Sequence, residues 1–203
     1  MAMAERGDVT PAHGWLTNPR SRADIEFDSG WPSNGIEAGK FFPARQVGLA
    51  DPDAPTDNPS GPKPVPPDGQ IASGGSEPDA AKLDEVRDWP KVDLRAGAEI
   101  PFQWNFSQKH RTRRYNYFVT KAGWDPSEPL SRDQFESEPF ATYKPYGDIP
   151  HWEMPDASTD PNLEKPHTVR LPERSGYHVI LGVWEVADTG HAFYQVMDVN
   201  FTQ

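Results

Sequence analysis

Twenty-three prolines and 16 glycines, spread through 203 residues, cut the apolar content of this chain into short pieces. Neither residue suits a helix interior, so the pattern favours short strands joined by long ordered loops. Seven of the prolines (Pro52, Pro55, Pro59, Pro62, Pro64, Pro66 and Pro67) fall within residues 51–69. That stretch reads as an extended surface insertion. It is not a linker between domains, because the flank before it is too small to fold alone. The length suits one domain and can hold a single large β-sandwich or barrel.

From Val92 onward the apolar residues alternate. Ile100, Phe102, Trp104 and Phe106 take one face of a strand, with Gln103 and Asn105 on the other. Tyr115, Tyr117 and Val119 follow with the same period. Residues 177–186 and 192–201 predict two further strands across a turn at 187–191. Residues 79–87 predict a short helix stopped by Pro90. Residues 13–50 show no helical period and predict one strand near 14–16, then a long loop; residues 123–129 and 156–166 also read as loops. The expected fold class is all-β: an antiparallel β-sandwich of the immunoglobulin or fibronectin type, with long loops and a short helix or two.

A net charge of −11 argues against nucleic acid as a partner, since a phosphate binder needs a basic face. An uncharged polymer or a small molecule stays open. No stretch approaches about 18 apolar residues, so no helix is expected to span a membrane. The chain has no cysteine, which removes thiolate nucleophiles and every cysteine-ligated metal site. A metal would have to be held by histidine, carboxylate, tyrosine or a terminal amine.

The six histidines are His13, His110, His151, His167, His178 and His191. None belongs to an H-E-x-x-H motif or an i, i+4 pair, which argues against a zinc protease. There is no G-x-S-x-G motif and no P-loop, and no pair among the 31 acidic residues stands out for glycosidic hydrolysis. His178, beside Val179, Ile180 and Leu181, reads as structural; His151 and His167 read as surface loop residues. His110 precedes the basic run Arg111-Thr112-Arg113-Arg114 and is equally compatible with a solvated turn histidine. His191 is a site candidate through its nearness to Phe193.

Thr10-Pro11-Ala12 puts a small residue just before His13, as a signal-peptidase site requires, although residues 1–12 hold no apolar h-region. Ala2-Met3-Ala4 is a better A-x-A site and would leave eight residues ahead of His13. Cleavage before His13 would place an imidazole and an α-amine on one residue, and both can bind one metal ion once deprotonated. Residues 1–12 are therefore read as a residual leader or propeptide, and 13–203 as one domain.

Several stretches together carry a resemblance. They are His13-Gly14, Pro19-Arg20-Ser21-Arg22, Glu37 with Lys40 and Phe42-Pro43, and Asp68-Gly69-Gln70-Ile71-Ala72-Ser73. RYNYFVTK at 114–121 follows His110, and then come Gly123-Trp124-Asp125 and Arg174-Ser175-Gly176-Tyr177-His178. Val183-Trp184-Glu185-Val186-Ala187-Asp188-Thr189, Ala192-Phe193-Tyr194-Gln195 and Asp198-Val199-Asn200 complete the set. The chain from His13 onward, apart from the proline insertion and a stretch near 148–166, resembles bacterial lytic polysaccharide monooxygenases of auxiliary activity family ten. That group was first described as chitin-binding proteins.

The resemblance implies one copper ion held by the amine and imidazole of His13 and by the imidazole of His110, a three-nitrogen set that suits copper. It makes Phe193 the aromatic that closes an axial position, Glu37 the acid beside the metal, and Trp184 the tryptophan behind it. Trp31 falls where chitin-active members carry a surface tyrosine. Asp188 and His191 fall on the flat binding face, His191 in place of a usual asparagine, and Gln108 stands where an alanine usually crowds the metal. The implied activity is oxidative cleavage of crystalline chitin, with oxidation at C1, using an external electron donor and peroxide or dioxygen. Asp88-Trp89-Pro90 resembles a feature of some cellulose-active relatives, so cellulose is the alternative substrate. A non-catalytic chitin- or carbohydrate-binding protein is the alternative from another class. The implied setting is a secreted monomer acting on a polysaccharide surface, with no nucleic acid and no membrane.

Overall fold

The period-two pattern resolves into two packed sheets, a β-sandwich. The computed structural model describes residues 13–28, 32–46, 57, 61–75 and 78–203. The expected leader, residues 1–12, and the candidate sugar-stacking Trp31 lie outside the described residues, as does much of the proline insertion. The described residues hold β1 (Gly14–Asn18), β2 (Glu37–Gly39), β3 (Val92–Arg95), β4 (Glu99–Phe106), β5 (Thr112–Val119), β6 (Ala141–Tyr143), β7 (His167–Arg170), β8 (Gly176–Val186) and β9 (His191–Thr202), with one α-helix, α1 (Arg22–Phe27). The smaller sheet runs β1-β4-β7, and the larger runs β2-β9-β8-β5-β6.

One pairing departs from the antiparallel expectation. β3 joins β9 in parallel, Val92 opposite Val199, at the far end of the edge that β2 takes with Glu37 opposite Phe193. Parallel neighbours cannot be joined by a hairpin. Here β4 to β8 intervene between the partners, and alternation within a strand says nothing about the direction of its neighbour.

The larger sheet is buried on both faces. On β8, Val179, Leu181 and Val183 face one side while Ile180, Trp184 and Val186 face the other. The second set packs on Leu16, Phe102 and Trp104 of the smaller sheet. The first is covered by Ala23 of α1 and by loop residues that include Ile36, Phe42, Ile71, Trp89 and Phe135. The long loops thus act as a third layer, which is why a chain so rich in proline orders them.

Helix α1 occupies a stretch expected to be loop. Six residues make fewer than two turns, too few for a period to show. Its signal was the cap: the Ser21 side chain accepts from the Asp24 N–H at 3.1 Å, within an S-x-x-D box. The helix expected at 79–87 is a 3-10 helix, Pro78–Asp84, and ends three residues earlier. Arg22 of α1 fastens the third layer to the sheet. Its Nε and Nη2 donate to Asp198 at 2.6 and 2.8 Å, and its Nη1 donates to the Leu83 carbonyl at 2.9 Å. The Tyr177 hydroxyl donates to the same carboxylate at 2.7 Å.

His167 corrects a further expectation. It is no surface residue: only 2% exposed, it sits on β7 with its Nδ1 3.0 Å from the Tyr117 hydroxyl. Tyr115 and Tyr143 flank it, each with a ring centroid 4.1 Å away. Its polar sequence neighbours, Lys165 and Thr168, hid a four-residue strand. Burial lowers its pKa to about 4. His178 is buried as expected, its Nδ1 2.8 Å from Thr120 Oγ1, and His151 is half-exposed at the start of a one-turn 3-10 helix, His151–Glu153. No helix among the described residues is long and apolar enough to cross a membrane.

Two outcomes follow from these buried polar groups. Arg22→Met strands the Asp198 charge and should lower unfolding free energy in urea by about 3–5 kcal/mol. His167 is neutral when folded and has an ordinary pKa when unfolded. Its contribution is complete above about pH 6.5 and is lost as pH falls towards 4, on the order of 3 kcal/mol in all. The slope of stability against pH in that window should flatten in His167→Gln.

Candidate metal centre and binding face

His13 immediately precedes β1, and His110 stands two residues before β5. Both strands start at the end of the sandwich where β8 turns into β9, with Gly14 opposite Phe106 and Thr112 opposite Val186. The two imidazoles meet over a shared aromatic floor. The Phe193 ring centroid lies 5.6 Å from that of His13 and 6.0 Å from that of His110. Trp184 stacks on Phe193 at 4.6 Å and lies 5.9 Å from His110. Both floor residues are fully buried. The Trp184 Nε1 donates to Thr112 Oγ1 at 2.8 Å, which locks the indole.

Gly14 lets the chain come this close. A Cβ there would fall 2.7 Å from Phe106 Cδ1 and 2.9 Å from Trp184 Cζ3. The His13 carbonyl accepts from the Ser107 N–H at 2.9 Å, tying the start of β1 to the loop that carries His110. Gln108 lies in that loop with its side chain exposed, and its N–H reaches the same carbonyl at 3.4 Å.

Asp188 orients His110. Its Oδ1 lies 3.0 Å from His110 Nδ1, and its Oδ2 accepts from the Arg111 N–H at 3.1 Å. Burial, the largest single influence, would raise the Asp188 pKa, but the His110 bond and charge and the backbone N–H groups of Arg111 and Asp188 together hold the carboxyl below its ordinary value. With Nδ1 engaged, Nε2 is the His110 nitrogen left for a metal, the usual arrangement of a carboxylate-backed imidazole ligand. Burial lowers the His13 pKa to about 4 against the opposing pull of Glu37, so its ring is neutral and able to ligate at neutral pH.

Glu37 lies on β2, in register with Phe193. Its Oε2 accepts from Lys63 Nζ at 2.8 Å, and its Oε1 pairs with His191 Nδ1. The other His191 nitrogen meets the Gly61 carbonyl. Burial raises the Glu37 pKa, but the bonds from His191 and Lys63 outweigh it and bring it to about 2.

Lys63 and Gly61 belong to the proline insertion, whose described part runs over the surface and is fastened to it by hydrogen bonds. Pro64 accepts from the Gly39 N–H at 2.8 Å, and Asp57 takes Arg113 Nε at 2.7 Å and Lys40 Nζ at 3.3 Å. Sequence reasoning missed Lys63. A single lysine between Pro62 and Pro64 gives no sign that it folds back onto a glutamate 26 residues earlier.

Of the sequence candidates, His13, His110, Phe193, Trp184, Glu37, Asp188, His191 and Gln108 all converge on this end of the sandwich, while His167 and His178 do not. Among the described residues no three histidine, aspartate or glutamate side chains group to hold a metal. Two imidazoles are an incomplete set. A third nitrogen donor would be available in the His13 main-chain nitrogen, which is an amide after Ala12 and would be an amine in a chain beginning at His13. With that amine the residues fit a three-nitrogen copper site.

Removing the ammonium beside Glu37 should release its carboxyl. In Lys63→Met, the Glu37 pKa read by carboxyl carbon NMR should move from about 2 towards the ordinary glutamate value near 4.

Residues 13–199 match the family described as lytic polysaccharide mono-oxygenase, cellulose-degrading. GlcNAc-binding protein A of Vibrio campbellii is 38% identical over 141 residues, which cover 69% of this chain and 26% of that protein. This chain thus spans about a quarter of the length of that curated relative. A chitin binding domain from Burkholderia pseudomallei superposes with a TM-score of 0.78 at 43% identity, covering 95% of this chain and all of that one. A Bacillus amyloliquefaciens CBM33 protein solved in complex with Cu(I) superposes with a TM-score of 0.67 at 31% identity, covering 94% of this chain and all of that one.

Proposed function

The chain belongs to the lytic polysaccharide mono-oxygenase family of auxiliary activity ten, and from that membership we propose that residues 13–203 act as one copper-dependent domain that cleaves crystalline chitin oxidatively at C1. The observation that carries this reading is the meeting of His13 and His110 over Phe193, with ring centroids 5.6 and 6.0 Å from it. Chitin is favoured by the names of the Vibrio and Burkholderia proteins, and copper by the Bacillus complex. The family description keeps cellulose as the second substrate.

Copper, when bound, would supply the one-electron chemistry by which peroxide, or dioxygen with electrons from an external donor, oxidises a C–H bond. The chain's own residues do the rest. His13 and His110 hold the ion, with the His13 α-amine as third donor after cleavage before it. Asp188 fixes the ring of His110. Phe193 offers no lone pair and keeps water from one side. Glu37, held ionised by Lys63 and His191, accepts a hydrogen bond or a proton at its carboxylate oxygens. Trp184 keeps the floor rigid, as an oxidising site requires. Asp188, His191 and Gln108 belong to a face that meets a crystal surface, which cannot enter a pocket; Trp31 is a candidate contact by resemblance alone. The protein acts outside the cell as a monomer.

The test starts with the secreted chain, its first residue read by N-terminal sequencing. With His13 first, calorimetry should show tight uptake of one copper, and chitin with ascorbate should yield oligosaccharides ending in aldonic acids by mass spectrometry. His110→Ala should weaken copper uptake by more than the roughly 10- to 100-fold that losing a supporting partner costs. A chain that starts upstream of His13, takes up no copper and yields no oxidised ends leaves only the carbohydrate-binding reading. The same assay on cellulose decides between the substrates.

A further inference from the structure

The connection from β6 to β7 carries an aromatic side chain that the site above does not use. β6 runs towards the His110 end, with Tyr143 opposite Tyr115. β7 begins at His167, opposite Phe102 and four residues short of Phe106 on β4, whose partner on β1 is Gly14. Residues 144–166 therefore lie at the end of the sandwich that holds His13 and His110.

Three basic residues around His110 fasten this loop. Lys109 Nζ donates to the Asp160 carbonyl at 3.3 Å and pairs with Glu164 at 2.8 Å. Arg111 Nε donates to the Pro155 carbonyl at 3.4 Å. Arg113 Nη1 donates to the carbonyls of Gly147 and Ile149 at 3.3 and 3.0 Å. Met154 and Ala157 are buried beneath. The result is a rigid shelf beside the metal centre.

On that shelf Trp152 is 61% exposed and Ile149 37%. Among the described residues the only other large hydrophobic side chain so exposed is Val86. His151 meets the Trp152 ring edge-on, with centroids 5.1 Å apart and planes at 79°. An exposed indole fixed on a rigid loop is a poor surface for water and a good one for a flat C–H face. The acidic neighbours Asp148, Glu153 and Asp156 disfavour an anionic partner. An uncharged polymer whose sugar rings present flat C–H faces fits both facts.

We propose that Trp152, with Ile149 beside it, is a second polysaccharide contact that stacks on a sugar ring of the insoluble chain next to the metal centre. This rests on the function proposed above and adds a subsite to its binding face. A rigid aromatic presents contact area with little rotamer entropy to lose, and aromatic stacking of this kind is worth a roughly tenfold change in affinity.

The test is a binding isotherm of the full chain on insoluble chitin and on cellulose. Trp152→Ala should bind roughly tenfold more weakly, Trp152→Phe should keep most of the affinity, and Val86→Ala should bind as the parent does. Copper uptake and melting temperature should not change in Trp152→Ala. If Trp152→Ala binds as well as a parent that does bind, the subsite is overturned while the proposed function stands. If the parent binds neither polymer, both fall. Equal weakening in Val86→Ala would reveal non-specific adsorption, and a parent dimer that dissociates in Trp152→Ala would assign Trp152 to contact between copies; either overturns the subsite.

Discussion

The stack of Trp184 on Phe193, 4.6 Å between ring centroids, is the contact on which the rest depends. It joins the two longest strands of the larger sheet at their turn end, Trp184 of β8 opposite Phe193 of β9. It also closes that end of the core against β1 and β4, where Phe106 and Trp104 meet the same indole at 4.9 and 6.2 Å. The rings that complete the hydrophobic core are therefore the floor under His13 and His110. The geometry of that floor is set by core packing, which tolerates little displacement.

Much of this was legible in the chain. The alternation of Ile100, Phe102, Trp104 and Phe106, and the long runs around Trp184 and Phe193, identified the central strands because each is long enough to show its period. The motifs around His13, His110, Glu37, Asp188 and Phe193 marked candidate residues by resemblance, and the fold brings those side chains together. What escaped was short or non-local. Helix α1 had too few residues for a period, although Ser21 and Asp24 held its cap. His167 was hidden among polar neighbours on a four-residue strand, because burial is decided by Tyr115 and Tyr143, which lie elsewhere in the sequence. The parallel join of β3 to β9 and the reach of Lys63 to Glu37 are properties of the assembled chain that no local pattern encodes.

The proline-rich character has a structural use as well. The larger sheet needs cover on the face away from the smaller sheet, and loops with Ile71, Trp89 and Phe135 supply it. Proline limits the conformations an unfolded loop can sample, which lowers the entropy lost on ordering it. Loops ordered in this way bring Gly61, Lys63 and Asp57 to fixed positions around β2.

Arg113 draws two of these segments together. Its buried guanidinium serves Asp57 on one side and the carbonyls of Gly147 and Ile149 on the other. One cation is thus shared by the insertion beside Glu37 and by the shelf beside His110, and neither segment can be remodelled without altering the electrostatic setting of its counterpart. Changes at Asp57 and in the shelf should consequently be energetically non-additive, so that sequence drift on one flank of the His13–His110 pair is constrained by the composition of the opposite flank.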